Sequence, residues 1–123
     1  MSEIKNSIIF SNTAIPHFNY VGDSIICENV NFAAGSKVSN LRLDDKRINV
    51  NINGKLIDSN RRKLGSIIGP NVKTGINVSI MCGKIVGEGS WIGAHTLVLE
   101  DVPSNTLYYQ DPNKGINKKP LNK

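Results

Sequence analysis

Residues 68–103 read IGPNVKTGINVSIMCGKIVGEGSWIGAHTLVLEDVP and repeat with a period of six. The repeat positions carry apolar or β-branched residues: Ile68, Thr74, Ile80, Val86, Ile92 and Val98. Neither an α-helix, with a period of about 3.6, nor a flat strand, with a period of about 2, turns every sixth side chain inward. A coil of short parallel strands with three flat sides does, so the stretch predicts a solenoid of about 18 residues per turn.

The same spacing occurs near the N-terminus, at Ile8, Ala14, Tyr20, Ile26, Phe32 and Val38. In the second run, glycine directly follows four of the repeat positions, at Gly69, Gly75, Gly87 and Gly93. Glycine leaves room where the backbones of two turns approach closely. Residues 1–103 are therefore predicted to form an all-β, parallel β-helix domain of hexapeptide repeats.

A segment at about 44–67 interrupts the repeat. Ile48, Val50 and Ile52 alternate with polar residues and are followed by Asn53-Gly54 and Leu56. Asn-Gly is the favoured pair for a type I′ turn, because both of its central residues need positive φ. We therefore expect an inserted β-hairpin arm. A two-stranded hairpin is only marginally stable by itself, so we expect one face of the arm to pack on a coil or a second subunit.

Length and composition limit the classes of function. With 123 residues the chain suits one domain, and a short solenoid has a thin core that oligomerisation supplements. The net charge is +5, but few aromatic residues accompany the basic ones, so a phosphorylated small molecule explains the charge as well as nucleic acid does. No apolar run reaches the roughly 18 residues of a membrane span, and no signal-peptide pattern opens the chain. A cytoplasmic protein without nucleic-acid or membrane partners is expected.

Only two histidines are present, His17 and His95, and they lie in different halves of the sequence. A metal site built from one chain is therefore not expected. His17 lies between a rigid proline and Tyr20, at a predicted corner of the coil. Asn31 and Asn40 follow within about one turn of the solenoid and could share the edge that carries His17.

Three strings carry a more specific resemblance: HFNYVGDSII at 17–26, ENVNFAAGSKVSN at 28–40 and IIGPNVKTGINVSI at 67–80. They resemble the acetyltransferase half of the bifunctional enzymes that make UDP-N-acetylglucosamine. The resemblance is strongest to their archaeal sugar-1-phosphate relatives, whose coil is also interrupted by a hairpin ending in RRKLG. It implies a left-handed β-helix, a homotrimer and acetyl-CoA as cosubstrate.

The resemblance also implies roles for individual residues. The family acetylates the 2-amino group of a hexosamine 1-phosphate such as glucosamine 1-phosphate, and His17 would be its general base. Tyr20 and Asn31 would hold the sugar or its phosphate, and Asn40 would line the junction of substrate and acetyl group. Three further residues match positions that contact the CoA arm: Ala34, Ile76 and Ala94.

A lysine that pairs with the sugar phosphate is expected near Asn40. Counting forward from Asn40 gives Lys46, which we favour, whereas counting back from Ile67 gives Lys63. The Gly-rich nucleotide loop of the full-length family is missing, so nucleotidyl transfer is not expected of this chain. Residues 104–123 are predicted to form a capping strand and a flexible tail. Two alternatives stay open: an acyltransferase for another amino sugar, and a trimerising module without catalysis.

Overall fold

The computed structural model describes residues 1–122, and its secondary structure in that range is entirely β. Short strands wind into coils with three flat faces, and strands of successive coils pair in parallel. Face one contains β1 (Glu3–Lys5), β3 (Tyr20–Gly22), β6 (Lys37–Val38), β11 (Ser79–Ile80) and β14 (Leu97–Val98). Face two contains β2 (Ile8–Ile9), β4 (Ile25–Ile26), β9 (Ile67–Ile68) and β12 (Ile85–Val86). The prediction of an all-β parallel solenoid is confirmed.

Face three contains β5 (Asn31–Phe32), β10 (Lys73–Thr74), β13 (Trp91–Ile92), β15 (Thr106–Asp111) and β16 (Gly115–Pro120). The two strands of the inserted segment, β7 (Asn49–Ile52) and β8 (Lys55–Asp58), form a separate antiparallel pair. The chain passes from face one to face two at the first corner, from two to three at the second, and from three back to one at the third.

The pairing of stacked residues shows where the coils differ in length. On face two, Ile9 pairs with Ile26, and Ile26 pairs with Ile68. The next two partners in this column are Val86 and Val102. The step from Ile26 to Ile68 is far longer than the others, because it contains one regular turn and the insertion at 44–67.

The predicted inward positions of the first coil are wrong by one residue. Ile8 is 57% exposed, Ala14 is not part of the core, and Tyr20 is only half-buried on the outside of face one. The side chains that pack on the core there are Ile9, Ile15 and Val21. At the first corner, the core residues Val21 and Ile26 are five positions apart instead of six. Counting back from Ile26 in steps of six therefore misses the inward positions before this corner by one residue.

The other repeat positions form the core, in which apolar side chains of successive coils stack in columns. Phe32, Val38, Ile68, Val86 and Val98 are 0–1% exposed. Thr74, the polar exception in the repeat, is also buried, but its hydroxyl oxygen accepts the Ala33 N–H at 3.2 Å and lies 3.3 Å from the Ser36 hydroxyl. A buried hydroxyl with partners avoids the desolvation cost of an unpaired polar group.

Glycine at the predicted corner positions is required by close stacking. A Cβ atom at Gly75 would lie 2.6 Å from the backbone nitrogen of Ala94, and one at Gly69 would lie 2.8 Å from the backbone nitrogen of Glu88. Real Cβ atoms do not approach backbone atoms so closely. The successive backbones can therefore stay in hydrogen-bonding register only without a side chain at these positions.

The inserted segment forms the predicted hairpin. Asn53 and Gly54 have φ values of 51° and 79°, as a type I′ turn requires. At its base Ile48 is 2% exposed, and its backbone N–H donates to the Arg61 carbonyl at 2.9 Å. Leu56, further out on the arm, is 66% exposed. Thus the base of the arm packs on the first corner, while its outer part is uncovered in the single chain.

The C-terminal segment, for which a capping strand and a flexible tail were predicted, contains the strands β15 and β16. β15 continues face three by pairing with β13, and it carries Tyr108, which is 0% exposed. β16 folds back antiparallel on β15 over residues 115–120. The Asp111 carboxylate stabilises the connecting turn by accepting the Asn113 N–H at 2.8 Å. The chain is therefore paired up to Pro120, and the last residue of the predicted tail, at position 123, lies outside the described range.

Among residues 1–122, no helix is long and apolar enough to cross a membrane.

Replacing Gly83 by alanine tests whether the base of the arm packs against the first corner at this residue. Gly83 and Gly54 have nearly equal φ values of 78° and 79°, but a Cβ at Gly83 would lie 2.5 Å from the Asn49 carbonyl oxygen, whereas one at Gly54 meets nothing within 4 Å. Gly54→Ala should lower the free energy of unfolding by about 1–2 kcal/mol through its backbone conformation alone. Gly83→Ala should cost about 1–3 kcal/mol more, because it also displaces the base of the arm.

Chemical denaturation of both variants measures the difference. Equal losses of stability would show that the arm does not press on the first corner at Gly83.

Candidate functional site

The third corner carries a column of four residues, one from each successive coil: His17, Ala34, Ile76 and Ala94. They stand three residues after the paired positions Ala14, Asn31, Lys73 and Trp91 on face three. Backbone hydrogen bonds of 2.9 Å run along this corner, from the Gly35 N–H to the His17 carbonyl and from the Asn77 N–H to the Ala34 carbonyl. The predicted base therefore stands at one end of the column formed by the predicted CoA-contacting residues.

The turn that presents His17 has an unusual backbone. His17 and Phe18 both have a φ of 61°, in the left-handed region that non-glycine residues seldom adopt. Both side chains are exposed, and Phe18 is 70% exposed. Such conformations persist only where surrounding contacts hold them.

Two side chains, one within the turn and one on β6, hold this conformation. Asn19 is 2% exposed; its amide group donates to the Pro16 carbonyl, and its side-chain oxygen accepts the Ser36 N–H at 2.6 Å. The Lys37 ammonium donates to the Phe18 carbonyl at 3.1 Å. The exposed imidazole of His17 therefore lies on a turn whose backbone is fixed by hydrogen bonds from Asn19 and Lys37.

A second polar cluster lies at the first corner, and we call it the Asp23 network. The side-chain nitrogen of Asn40 donates to the Tyr20 hydroxyl at 3.2 Å and to Asp23 Oδ2 at 2.7 Å. The amide of Asn6 donates to Asp23 Oδ1 at 2.6 Å. Gly22 leaves the necessary space, because a Cβ there would lie 2.5 Å from the Tyr20 hydroxyl. The structure thus brings together two predicted substrate-binding residues, Tyr20 and Asn40.

Asp23 itself was not identified from the sequence, although it lies within one of the quoted strings. Its side chain is only 4% exposed, and the Arg61 guanidinium lies 4.0 Å from its Oδ1. Burial alone would raise the pKa of this carboxyl, but the two amide donors and the nearby charges of Lys5 and Arg61 lower it by more. The net effect is a pKa below the usual value, so Asp23 is an anion at neutral pH.

The two candidate lysines lie in different surroundings. The backbone of Lys63 bridges that of Leu41, and the adjacent Leu64 N–H donates to the Asn40 carbonyl at 3.1 Å. Lys46 lies in an exposed turn, where its N–H donates to Asp44 Oδ1 at 3.1 Å. The fold therefore places the main chain of Lys63 beside Asn40 and that of Lys46 on the outer turn.

The expected sharing of one edge by His17, Asn31 and Asn40 is wrong for the single chain. Asn31 points outward from face three, and Asn40 lies at the first corner, whereas His17 occupies the third. The expectation assumed that residues about one turn apart lie on one edge, but neither the step from His17 to Asn31 nor that to Asn40 is a whole turn. Tyr20, on β3 between the two corners, belongs with Asn40.

Face one and the first corner carry two shallow grooves. One, of about 370 Å³, is lined by residues that include Tyr20, Lys37, Asn40 and Leu41. The other, of about 430 Å³, is lined by residues that include Asn6, Ile8, Asp23 and Arg61. The described residues contain no cluster of three His, Cys, Asp or Glu side chains with metal-site geometry.

No protein-family model matches the chain. Curated relatives do match. A bifunctional GlmU protein of Methanocaldococcus jannaschii is 56% identical over 109 residues, which make up 89% of this chain and 26% of the relative. A bifunctional sugar-1-phosphate nucleotidylyltransferase/acetyltransferase of Sulfurisphaera tokodaii is 50% identical over 100 residues, or 81% of this chain and 25% of the relative. The chain therefore spans about a quarter of the length of these relatives.

Solved structures share the fold at low sequence identity. A maltose O-acetyltransferase from Clostridium difficile 630 matches all of this chain and 68% of its own, with a TM-score of 0.67 and 22% identity. A serine acetyltransferase in complex with coenzyme A from Brucella abortus matches 95% of this chain and 40% of its own, with a TM-score of 0.69 and 19% identity.

Fold and stacking together define a left-handed β-helix of hexapeptide repeats. Within that class, the chain is related over most of its length to a segment of the bifunctional GlmU and sugar-1-phosphate nucleotidylyltransferase/acetyltransferase proteins, as its sequence strings predicted.

Proposed function

We propose that the chain transfers an acetyl group from acetyl-CoA to the 2-amino group of a hexosamine 1-phosphate. The observation that carries this proposal is the third-corner column, in which His17 precedes Ala34, Ile76 and Ala94 on successive coils. The names of the bifunctional relatives, one of which includes acetyltransferase, agree with it.

The column suits a thioester with a long, narrow arm. A groove along small and aliphatic side chains can hold an extended chain whose reactive end lies beside the imidazole. After the ammonium form of the substrate has lost a proton to solvent, the free amine attacks the thioester carbonyl carbon while His17 accepts a second proton. The C–N bond forms, the C–S bond breaks, and the imidazolium returns its proton to the departing thiolate. The products are the N-acetylated sugar phosphate and the thiol of CoA.

The charges near the Asp23 network suit an anionic substrate. The Arg61 guanidinium lies 4.0 Å from Asp23 Oδ1, the main chain of Lys63 pairs with that of Leu41 next to Asn40, and Lys37 lines the groove on face one. A net charge of +5 also favours the approach of a sugar phosphate and of CoA, both of which are anions.

We also propose that the chain acts as a homotrimer. Face two presents an outward column of isoleucines, in which Ile8 is 57% and Ile25 is 38% exposed, with Ile67 and Ile85 stacked beyond them. Contiguous apolar surface of this kind marks an interface. In a closed threefold arrangement, face two of one copy can pack on face three of the next.

This arrangement would complete the site. If faces two and three meet, the first corner of one copy lies beside the third corner of its neighbour. The Asp23 network of one copy would then face His17 and the Ala34 column of the next. Asn31, which face three directs away from Tyr20 in its own chain, would lie at the same boundary.

Thiol release from acetyl-CoA tests the proposed activity. Glucosamine 1-phosphate and galactosamine 1-phosphate are offered in parallel with unphosphorylated glucosamine, and light scattering verifies that the preparation is a trimer of the 13.4 kDa chain. We expect release with a 1-phosphate and little without it. Release that is indifferent to the phosphate would indicate an acyltransferase for another acceptor, and silence from an intact trimer would refute catalysis by this chain.

His17→Ala should lower kcat by roughly 100-fold or more, because the imidazole is the group that this end of the third corner offers to accept the amine proton. His95→Ala is the matched control, since His95 is also an exposed histidine with a positive φ at the third corner, three coils away. Wild-type turnover in His17→Ala would remove His17 from the role of base.

The same variant tests whether the site is shared. Trimers reassembled from an equal mixture of His17→Ala and Asn40→Ala chains should recover up to about a quarter of wild-type activity, because a quarter of the boundaries would combine two intact halves. A site contained in one chain would show no recovery.

Lys63→Ala should raise KM for the sugar phosphate about 10-fold or more and leave KM for acetyl-CoA nearly unchanged. The reason is that its main chain lies beside Asn40, and a cation at this point can pair with the phosphate. Lys46→Ala is the paired comparison. The opposite ranking would assign the phosphate to Lys46, and small equal effects would exclude both lysines.

A further inference from the structure

In the Asp23 network, both side-chain N–H groups of Asn40 have acceptors. The side-chain amide of Asn40 has two N–H groups. One donates to Asp23 Oδ2 at 2.7 Å and the other to the Tyr20 hydroxyl at 3.2 Å. Both donors of Asn40 are therefore used inside the network, and its side-chain carbonyl oxygen is left to accept from another group.

The Tyr20 hydroxyl group is left with one hydrogen-bond donor. Its oxygen accepts a hydrogen bond from Asn40, so its own proton is available to a further acceptor. The half-buried ring lies along the groove on face one, which Lys37 and Leu41 also line. Toward that groove, the pair thus offers one acceptor on Asn40 and one donor on Tyr20.

The Asp23 carboxylate determines which way the Asn40 side-chain amide is oriented. An ionised carboxylate has acceptors only, so a reversed Asn40 amide would set its carbonyl oxygen against a carboxylate oxygen. The carboxylate is held in turn: Asn6 donates to Oδ1 at 2.6 Å, Arg61 lies 4.0 Å away, and the side chain is 4% exposed. In a buried network, a repulsive contact of this kind is costly.

We propose that Asp23 is a positioning residue that fixes the hydrogen-bonding direction of Asn40 and Tyr20, and thereby selects a substrate with a donor next to an acceptor. This inference rests on the proposed function. An amino sugar phosphate meets the requirement, because its amine and hydroxyl groups can donate to Asn40 while an oxygen of the sugar or phosphate accepts from Tyr20.

The test compares Asp23→Asn with Asp101→Asn in the full chain. Asparagine tolerates the φ of 51° at Asp23, so the backbone should be preserved. Asp101 is the matched control, because it occupies the first corner three coils on and its carboxylate accepts a backbone N–H, that of Ile85, at 2.8 Å.

Asp23→Asn should lower kcat/KM for the hexosamine 1-phosphate about 10-fold, with KM for acetyl-CoA changed less than about 2-fold. Asp101→Asn should change neither by more than about 2-fold.

A double-mutant cycle separates positioning from a general structural effect. In the Asn40→Ala background, adding Asp23→Asn should lower kcat/KM by less than about 2-fold further, because Asp23 acts through Asn40. Additive losses, or an equal loss in Asp101→Asn, would overturn the proposal.

An NMR measurement keeps the inference independent of turnover. The side-chain amide signals of Asn40, identified by their loss in Asn40→Ala, should exchange slowly with water in the wild type and at least about 10-fold faster in Asp23→Asn. Slow exchange in a trimer that releases no thiol would refute the proposed function but retain the positioning role. Exchange that is equally fast in the wild type and in Asp23→Asn would refute the positioning role itself.

Discussion

The structure depends on the close approach of successive backbones at the corners of the coil. Each coil hydrogen-bonds to the next across parallel strands that are mostly two or three residues long, so the ladder fails if one corner holds its neighbours apart. At Gly75 no side-chain atom fits against the backbone of Ala94. This requirement, more than apolar burial alone, makes residues of different coils neighbours. It aligns His17 with Ala34, Ile76 and Ala94.

The first corner is where this regularity is relaxed. Coils differ there by one or two residues, and one coil gains the whole arm, yet the pairing on face two continues unbroken from Ile9 to Val86. Extra residues at a corner project outward, whereas extra residues in a strand would turn its side chains to the wrong side. The polar Asp23 network and the Arg61–Lys63 end of the arm occupy this tolerant position.

The two clusters have complementary chemistry. The third corner offers an imidazole on a constrained turn together with a column of small and aliphatic groups, which suits an acyl donor. The first corner offers a buried carboxylate, two amides, a phenol and cations, which suit a polar anion. In the proposed reaction, each cluster would hold one of the two substrates. A threefold assembly, in which the corners of adjacent copies meet, would unite them.

The period of six by itself determined the class of fold, because every sixth residue faces inward only in a three-sided coil. The interruption at 44–67 and Asn53-Gly54 likewise determined the arm and its turn, since both depend on local backbone preferences. The inward positions of the first coil could not be predicted, because Ile8 and Ile9 are both apolar and one missing corner residue shifts the choice between them.

Tertiary structure alone decided which polar residues meet: Asp23 contacts Asn40 from the next coil and Arg61 from the end of the arm. It also set the main chain of Lys63, instead of that of Lys46, beside Asn40. Such contacts depend on the length of each turn, which arises from how the coils stack and leaves no periodic trace in the sequence.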